Sequence, residues 1–198
     1  LTAGIGARNH AANDIYSDIE NVVGSNWADI IVGNWTANEL WGENGDDEIT
    51  GMDGDDFLHG GGGRDFLYGD GGADTIHGEN GSDRLYGGAD PDLLYGGTGW
   101  DNLFGDSGDD RLFGDNGTDR LFGGNGSDFL AGGDHQDFLY GQSGDDRLIG
   151  DGGNDFLLGG NGNDTLEGSD GADVLHGGAG YDWLDGGDGA DILEGSWG

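Results

Sequence analysis

Gly123-Gly124-Asn125-Gly126-Ser127-Asp128-Phe129-Leu130-Ala131 decides the fold of this chain, because Gly159-Gly160-Asn161-Gly162-Asn163-Asp164-Thr165-Leu166-Glu167 repeats it in the same frame. Extended in both directions, the frame divides residues 24–194 into 19 consecutive blocks of nine, without an insertion or deletion. All 19 blocks open with Gly, all 19 carry Leu or Ile in the eighth place, and 18 carry Asp in the sixth, Asn38 being the exception. Fifteen also have Gly in the fourth place. A disordered acidic tract has no reason to hold a branched aliphatic residue in fixed register, so the periodicity argues for a repeat fold.

Each block joins six residues rich in Gly, Asp and Asn, which favour turns and positive φ, to three residues centred on the aliphatic, which suit a short strand. The expectation is an all-β chain with no helix. Three extended residues span only about 10 Å, so the chain must turn, run back and turn again, giving two blocks per coil and a rise of about 4.8 Å per 18 residues. This is a flattened parallel solenoid with short strands in two parallel sheets. Side chains alternate along a strand, which sends the eighth place inward from both sheets and the seventh and ninth outward. About nine and a half coils make a rod roughly 45 Å long. The organisation reads as a lead-in or cap over 1–23, the repeat array over 24–194, and the start of a further block over 195–198. Trp27, Trp35 and Trp41 are expected to cover the open end of the core. The chain stops halfway through a turn, as a piece of something longer or a coil able to stack on another would.

Composition narrows the function. With 49 Gly in 198 residues and a third of the chain hydrophobic, a conventional packed globule is excluded. Against 41 Asp and Glu stand six Arg and no Lys, and a net charge of -35 would drive a compact state apart unless cations neutralised it. The Arg (Arg8, Arg64, Arg84, Arg111, Arg120 and Arg147) are scattered among acids along the sequence, so the basic footprint needed for nucleic acid or an anionic membrane is missing. No Cys is present to form disulfides or thiolate sites. There is no helix-length apolar run or cleavable signal, so no membrane insertion is expected and any export signal lies outside this sequence.

The chemistry is expected in the turns. Loops 18 residues apart stack, so Asp47, Asp65, Asp83, Asp101, Asp119, Asp137, Asp155, Asp173 and Asp191 form one column, and Asp56, Asp74, Asp92, Asp110, Asp128, Asp146, Asp164 and Asp182 the other. Carboxylates at this spacing repel unless a cation lies between them. Hard oxygen donors without His or Cys, in Gly-rich turns that bare carbonyls, point to Ca2+. One ion between each pair of same-edge loops gives up to about 17 ions and +34 against the formal -35. The third-place residues Asn44, Asp53, Asn80, Asn116, Asn125, Asp134, Asn161, Asp170 and Asp188 are further candidates, through a side-chain or carbonyl oxygen.

This pattern resembles the G-G-x-G-x-D-x-L-x nonapeptide of the repeats-in-toxin (RTX) family, a calcium-binding repeat. The two blocks quoted first match at every fixed place, and Asp18-Ile19-Glu20-Asn21-Val22-Val23-Gly24-Ser25 is similar to the lead-in of such arrays. The resemblance implies a parallel β-roll, a right-handed β-solenoid, in a secreted or cell-surface protein exported in one step and folded by extracellular calcium. Metal occupancy is least secure where Trp27, Thr36, Asp90 and His135 replace the fourth-place Gly and Asn38 the sixth-place Asp (24–38, 87–92 and 132–137).

Catalytic readings are weaker. Gly105-Asp106-Ser107-Gly108 resembles a serine-protease nucleophile segment but is an in-frame turn with no His base indicated. Adjacent acids such as Asp46-Asp47 and Asp109-Asp110 could suggest a glycosidase pair, yet loop repetition accounts for them. His59 and His77 fall on stacked ninth places, and two imidazoles are too few for a transition-metal site. Tyr68, Tyr86, Phe104, Phe122 and Tyr140 on one face, with Trp41, Tyr95 and Phe113 on the other, form outward ladders that either shield one another or offer a surface for self-association or a sugar polymer. The function expected is a non-enzymatic, calcium-folded structural module, a spacer or stabiliser coupled to export. The alternatives are a self-assembling matrix, surface-layer or adhesin protein, or the accessory tail of a secreted protease, lipase or polysaccharide-modifying enzyme.

Overall fold

Strands are the product of the ninefold frame throughout. The computed structural model describes residues 5–6, 15–16 and 21–195, and all regular structure in them is strand. Most of the lead-in and residues 196–198 of the further block lie outside the described residues. Successive strands go alternately to two sheets. One contains Asn21–Val23, Glu39–Asn44, Phe57–Gly63 and Thr75–Gly81, and the other Ile30–Val32, Glu48–Asp53, Phe66–Gly71 and Arg84–Ala89, each continuing in the same order. Every pairing within the array is parallel and joins residues 18 apart, as in Leu67 to Leu85 to Leu103 to Leu121 and Leu94 to Leu112 to Leu130. Two blocks therefore make one coil, and the coils stack as a β-solenoid.

The strands are longer than three residues. In the regular coils they run for six or seven, as in Phe66–Gly71 and Leu93–Gly99. Pairing passes from Tyr86 with Phe104 to Gly88 with Asp106, skipping the first-place Gly87 and Gly105, so each strand carries a kink at that place. The next residue takes a left-handed conformation, φ 73° at Glu79 and 69° at Asp106, which redirects the chain while the second and third places still pair with the coil below. The turn itself shrinks to places four to six, or to five and six where the strand runs for seven residues.

The core is the expected aliphatic ladder. Every eighth-place residue from Ile31 to Leu175 is fully buried, each worth roughly 1.5–3 kcal/mol of apolar burial. Val22 pairs with Leu40 and extends the ladder by one rung, so the solenoid starts before the block frame does. Strands Ile5–Gly6 and Ile15–Tyr16 pair in turn with Asn21–Val23 and Ile30–Val32, so lead-in strands, rather than tryptophan, continue that end. Trp27 and Trp35 are 60% and 69% exposed, because the fourth and third places lie on the outside of the turn and point away from the core. Trp41, in a ninth place, stacks on His59 at 3.7 Å.

Candidate metal centre

Alternation that buries the eighth place also buries the sixth, and there it buries charge. Asp47, Asp56, Asp65, Asp74, Asp83, Asp92, Asp101, Asp110, Asp119, Asp128, Asp137, Asp146, Asp155, Asp164 and Asp173 are all buried, with Asp182 and Asp191 half-buried near the last coil. Each carboxylate reaches one coil back. Its Oδ1 accepts the N–H of the sixth-place residue 18 positions earlier, from Asp29 donating to Asp47 at 2.7 Å through to Asp173 donating to Asp191 at 3.0 Å on one edge. The other edge runs from Asn38 donating to Asp56 through to Asp164 donating to Asp182. The two predicted columns are thus present, joined by hydrogen bonds that the sequence did not announce.

The second oxygen differs. Oδ2 has no hydrogen-bond partner at any of these residues from Asp47 to Asp182. A buried carboxylate oxygen left unpaired costs several kcal/mol unless a cation completes it. The first two blocks provide an internal comparison. There the second-place residues, Ser25 and Asn34, are not left-handed, and their N–H groups donate at 2.7 Å to Asp29 Oδ2 and Asn38 Oδ1. From Glu43 onward the second place is left-handed and donates no such bond, leaving Oδ2 open. The irregular turns at Asp90 and His135 keep this geometry. Both residues adopt left-handed φ, 74° and 84°, and the Oδ2 atoms of Asp92 and Asp137 are as unpartnered as their neighbours.

The first-place glycines have a separate cause. They are not left-handed; they are Gly because the carboxylate lies against them. A Cβ on Gly96 would sit 2.8 Å from Asp101 Oδ2 and 2.8 Å from the Gly114 carbonyl oxygen, and one on Gly78 2.7 Å from Asp83 Oδ2. The invariance of that place therefore marks a cradle around each Oδ2 instead of a turn requirement. Asp29 also belongs to the inward column, buried and in frame, although the candidate ligands begin at Asp47; the ninefold register is the signal that finds it.

Electrostatics agree with a demand for positive charge at these carboxylates. Burial is the main cause that pushes these carboxyls up, to about 8 at Asp83, Asp92 and Asp137 and about 7 at Asp65, Asp74 and Asp119. The N–H bond from the preceding coil acts downward, and stacked neighbouring carboxylates act upward. A divalent cation beside these carboxylates would act downward against both. The donors available are carboxylate and backbone oxygens, the set that suits Ca2+.

Other candidates are placed elsewhere. The third-place side chains of Asn44, Asp53, Asn80, Asn116, Asn125, Asp134, Asn161, Asp170 and Asp188 are exposed, and the structure does not bring them to the buried column. Among the described residues no three His, Cys, Asp or Glu side chains converge. Adjacent acids diverge: Asp47 points inward while Asp46 is exposed and accepts the Arg64 N–H at 3.0 Å. Asp55, Asp109 and Asp145 make equivalent outward bonds, a fifth-place ladder that sequence reading missed. His59 and His77 stack at 4.9 Å between Trp41 and Tyr95, with His59 Nδ1 2.9 Å from Glu79.

The family model for the RTX calcium-binding nonapeptide repeat matches residues 17–49, 32–67, 59–94, 95–130, 131–166 and 167–198. No curated protein matches the sequence. The matches run through the whole solenoid and share its nine-residue frame, so the chain belongs to the family of RTX calcium-binding nonapeptide-repeat proteins.

Proposed function

We propose that this chain is a non-catalytic structural rod that folds when calcium fills the columns of sixth-place carboxylates. The observation that carries this reading is the run of buried, unpartnered Oδ2 atoms from Asp47 to Asp182, each facing a first-place glycine that leaves room for nothing larger. Asp47 through Asp191 would hold the ions with turn carbonyls. The exposed third-place side chains favour a carbonyl contribution from that place. With up to about 17 ions, the added positive charge would nearly cancel the -35 of the chain.

The consequence is a chain whose binding free energy is its folding free energy. Where free calcium is low, buried carboxylates and self-repulsion keep it unfolded and fit for export. Where calcium is plentiful, occupancy stabilises only the folded state, and filling is cooperative because each ion joins two coils. We place the rod outside the cell, as a spacer or stabiliser. The aromatic ladders support this reading over assembly: Tyr68, Tyr86, Phe104, Phe122 and Tyr140 stack at 4.8–4.9 Å and shield one another. Sedimentation velocity in chelator and in millimolar calcium tests the proposal. An expanded monomer that becomes a compact monomer supports it, growth into large species favours assembly, and an unchanged sedimentation coefficient refutes calcium-driven folding.

A further inference from the structure

Three of the six arginines, dispersed in sequence, converge in space. Fifth-place and seventh-place side chains flank each inward sixth place, so along one edge of the rod they form the two walls of a groove. Arg64, Ser82, Trp100 and Thr118 stand on one wall and Phe66, Arg84, Asn102 and Arg120 on the other, around a cavity of about 380 Å³. Asp101 reaches this cavity from the floor, 1% exposed, with its carboxylate bonded to the Asp83 N–H. On a chain of charge -35 the wall composition is unusual: from Arg64 to Ile192 neither the fifth nor the seventh place on this edge carries an acid.

The opposite edge provides the contrast. Arg111 and Arg147 occupy the same seventh place there, but each follows a fifth-place Asp in its own turn, Asp109 or Asp145, and Arg147 pairs with Glu167 at 3.6 Å. Arg84 and Arg120 instead follow Ser82 and Thr118 and form no ion pair among the described residues. Arg84 lies over the ring of Phe66 in the preceding coil at 5.3 Å and Arg120 over that of Phe138 in the following coil at 5.5 Å, a contact that Arg111 shares over Phe129 on the other edge. Arg64 has only an exposed contact with Asp46 at 3.4 Å. Trp100 is 71% exposed between them, its indole a flat and largely uncovered apolar surface.

We propose that this groove binds a linear oligosaccharide that carries oxyanions. Unpaired guanidinium groups supply forked donors for carboxylate or sulfate. Arg84 and Arg120 are two coils apart, about 10 Å, so anionic groups repeated along a chain meet both. Trp100 stacks on a sugar ring, and Ser82, Asn102 and Thr118 donate or accept at hydroxyls. A lone small anion would use one Arg and leave Trp100 idle; a chain of rings uses both kinds of group.

The test is binding of the calcium-loaded full chain to three oligosaccharides of equal length, one carboxylated, one sulfated and one neutral, by microscale thermophoresis at low and high salt. The expected result is salt-sensitive binding of at least one acidic oligomer. R84Q/R120Q should weaken it at least tenfold, and W100A several-fold. R111Q/R147Q removes the same charge from the other edge and should change it less than twofold. Circular dichroism in calcium checks that each variant remains folded. Which acidic oligomer binds identifies the oxyanion. Absence of binding to both, equal binding of the neutral oligomer, or equal loss in R111Q/R147Q would overturn the proposal.

Discussion

Replacing Gly96 by Ala tests the cradle directly. Its backbone is not left-handed, so an Ala there has no conformational penalty. The cost is steric. The new Cβ would lie 2.8 Å from both Asp101 Oδ2 and the Gly114 carbonyl oxygen, and neither is the free end of a flexible chain: one is a buried carboxylate, the other backbone. Something must move by several tenths of an ångström, and overpacking of this kind costs about 1–3 kcal/mol. Gly152 is the matched control. It also lies outside the left-handed region, and its Cβ would meet Asp134 Oδ1 and the Gly133 carbonyl oxygen at 3.8 Å, ordinary contact. Gly152→Ala should be neutral or stabilise by about 0.4–1 kcal/mol through the unfolded chain. Urea unfolding of both variants at one fixed calcium concentration reads the difference, with the midpoint as the comparison because long repeat arrays need not unfold in two states. Gly96→Ala should also raise the calcium concentration needed for folding. Equal midpoints for the two variants would refute the idea that first-place glycine exists to make room for the carboxylate.

Other consequences concern charge and core. Asp119→Asn keeps an oxygen able to accept the Asp101 N–H but removes the negative charge, and should raise the calcium midpoint in a titration followed by circular dichroism, at a cost of about 1.5–3 kcal/mol. Leu103→Ala opens a void in a fully buried rung and should destabilise the calcium-loaded rod by about 2–5 kcal/mol in urea unfolding. In chelator, pH should act in an unusual direction. Burial raises Asp83, Asp92 and Asp137 from 3.8 to about 8, so between those values the folded state holds more protons than the unfolded one. Their contribution to stability is present below about pH 4 and lost as pH rises through 8; the metal-free chain should therefore be more compact at pH 4 than at pH 8.5 by dynamic light scattering, and calcium should abolish the difference.

Much of this was readable in advance because the register is unbroken. An aliphatic every nine residues, from Ile31 to Leu175, fixes which side chains face inward, and the 18-residue coil follows from how short a strand can be before the chain turns. The buried Asp columns follow from the same alternation. What escaped the reading depends on directions that a one-dimensional pattern does not carry. The kink at the first place, which lets Phe66–Gly71 extend past Tyr68, arises from the left-handed residue at Asp70, and nothing in the composition of that place demands it. Trp27 and Trp35 look like a cap by bulk alone, but their places face outward. The Arg groove is invisible in sequence because Arg64, Arg84 and Arg120 lie 20 and 36 residues apart, and only the coil brings them onto one edge.

The central claim is that calcium, and not the chain alone, completes the core. Far-UV circular dichroism titrated with Ca2+ from a chelated start, with Mg2+ at equal concentrations as the comparison, tests it most directly. The account predicts little β-structure in chelator, a cooperative rise with Ca2+, and a weaker response to Mg2+, whose tighter octahedron fits the oxygen set less well. Full β-structure in chelator at neutral pH, unchanged by Ca2+, would contradict it.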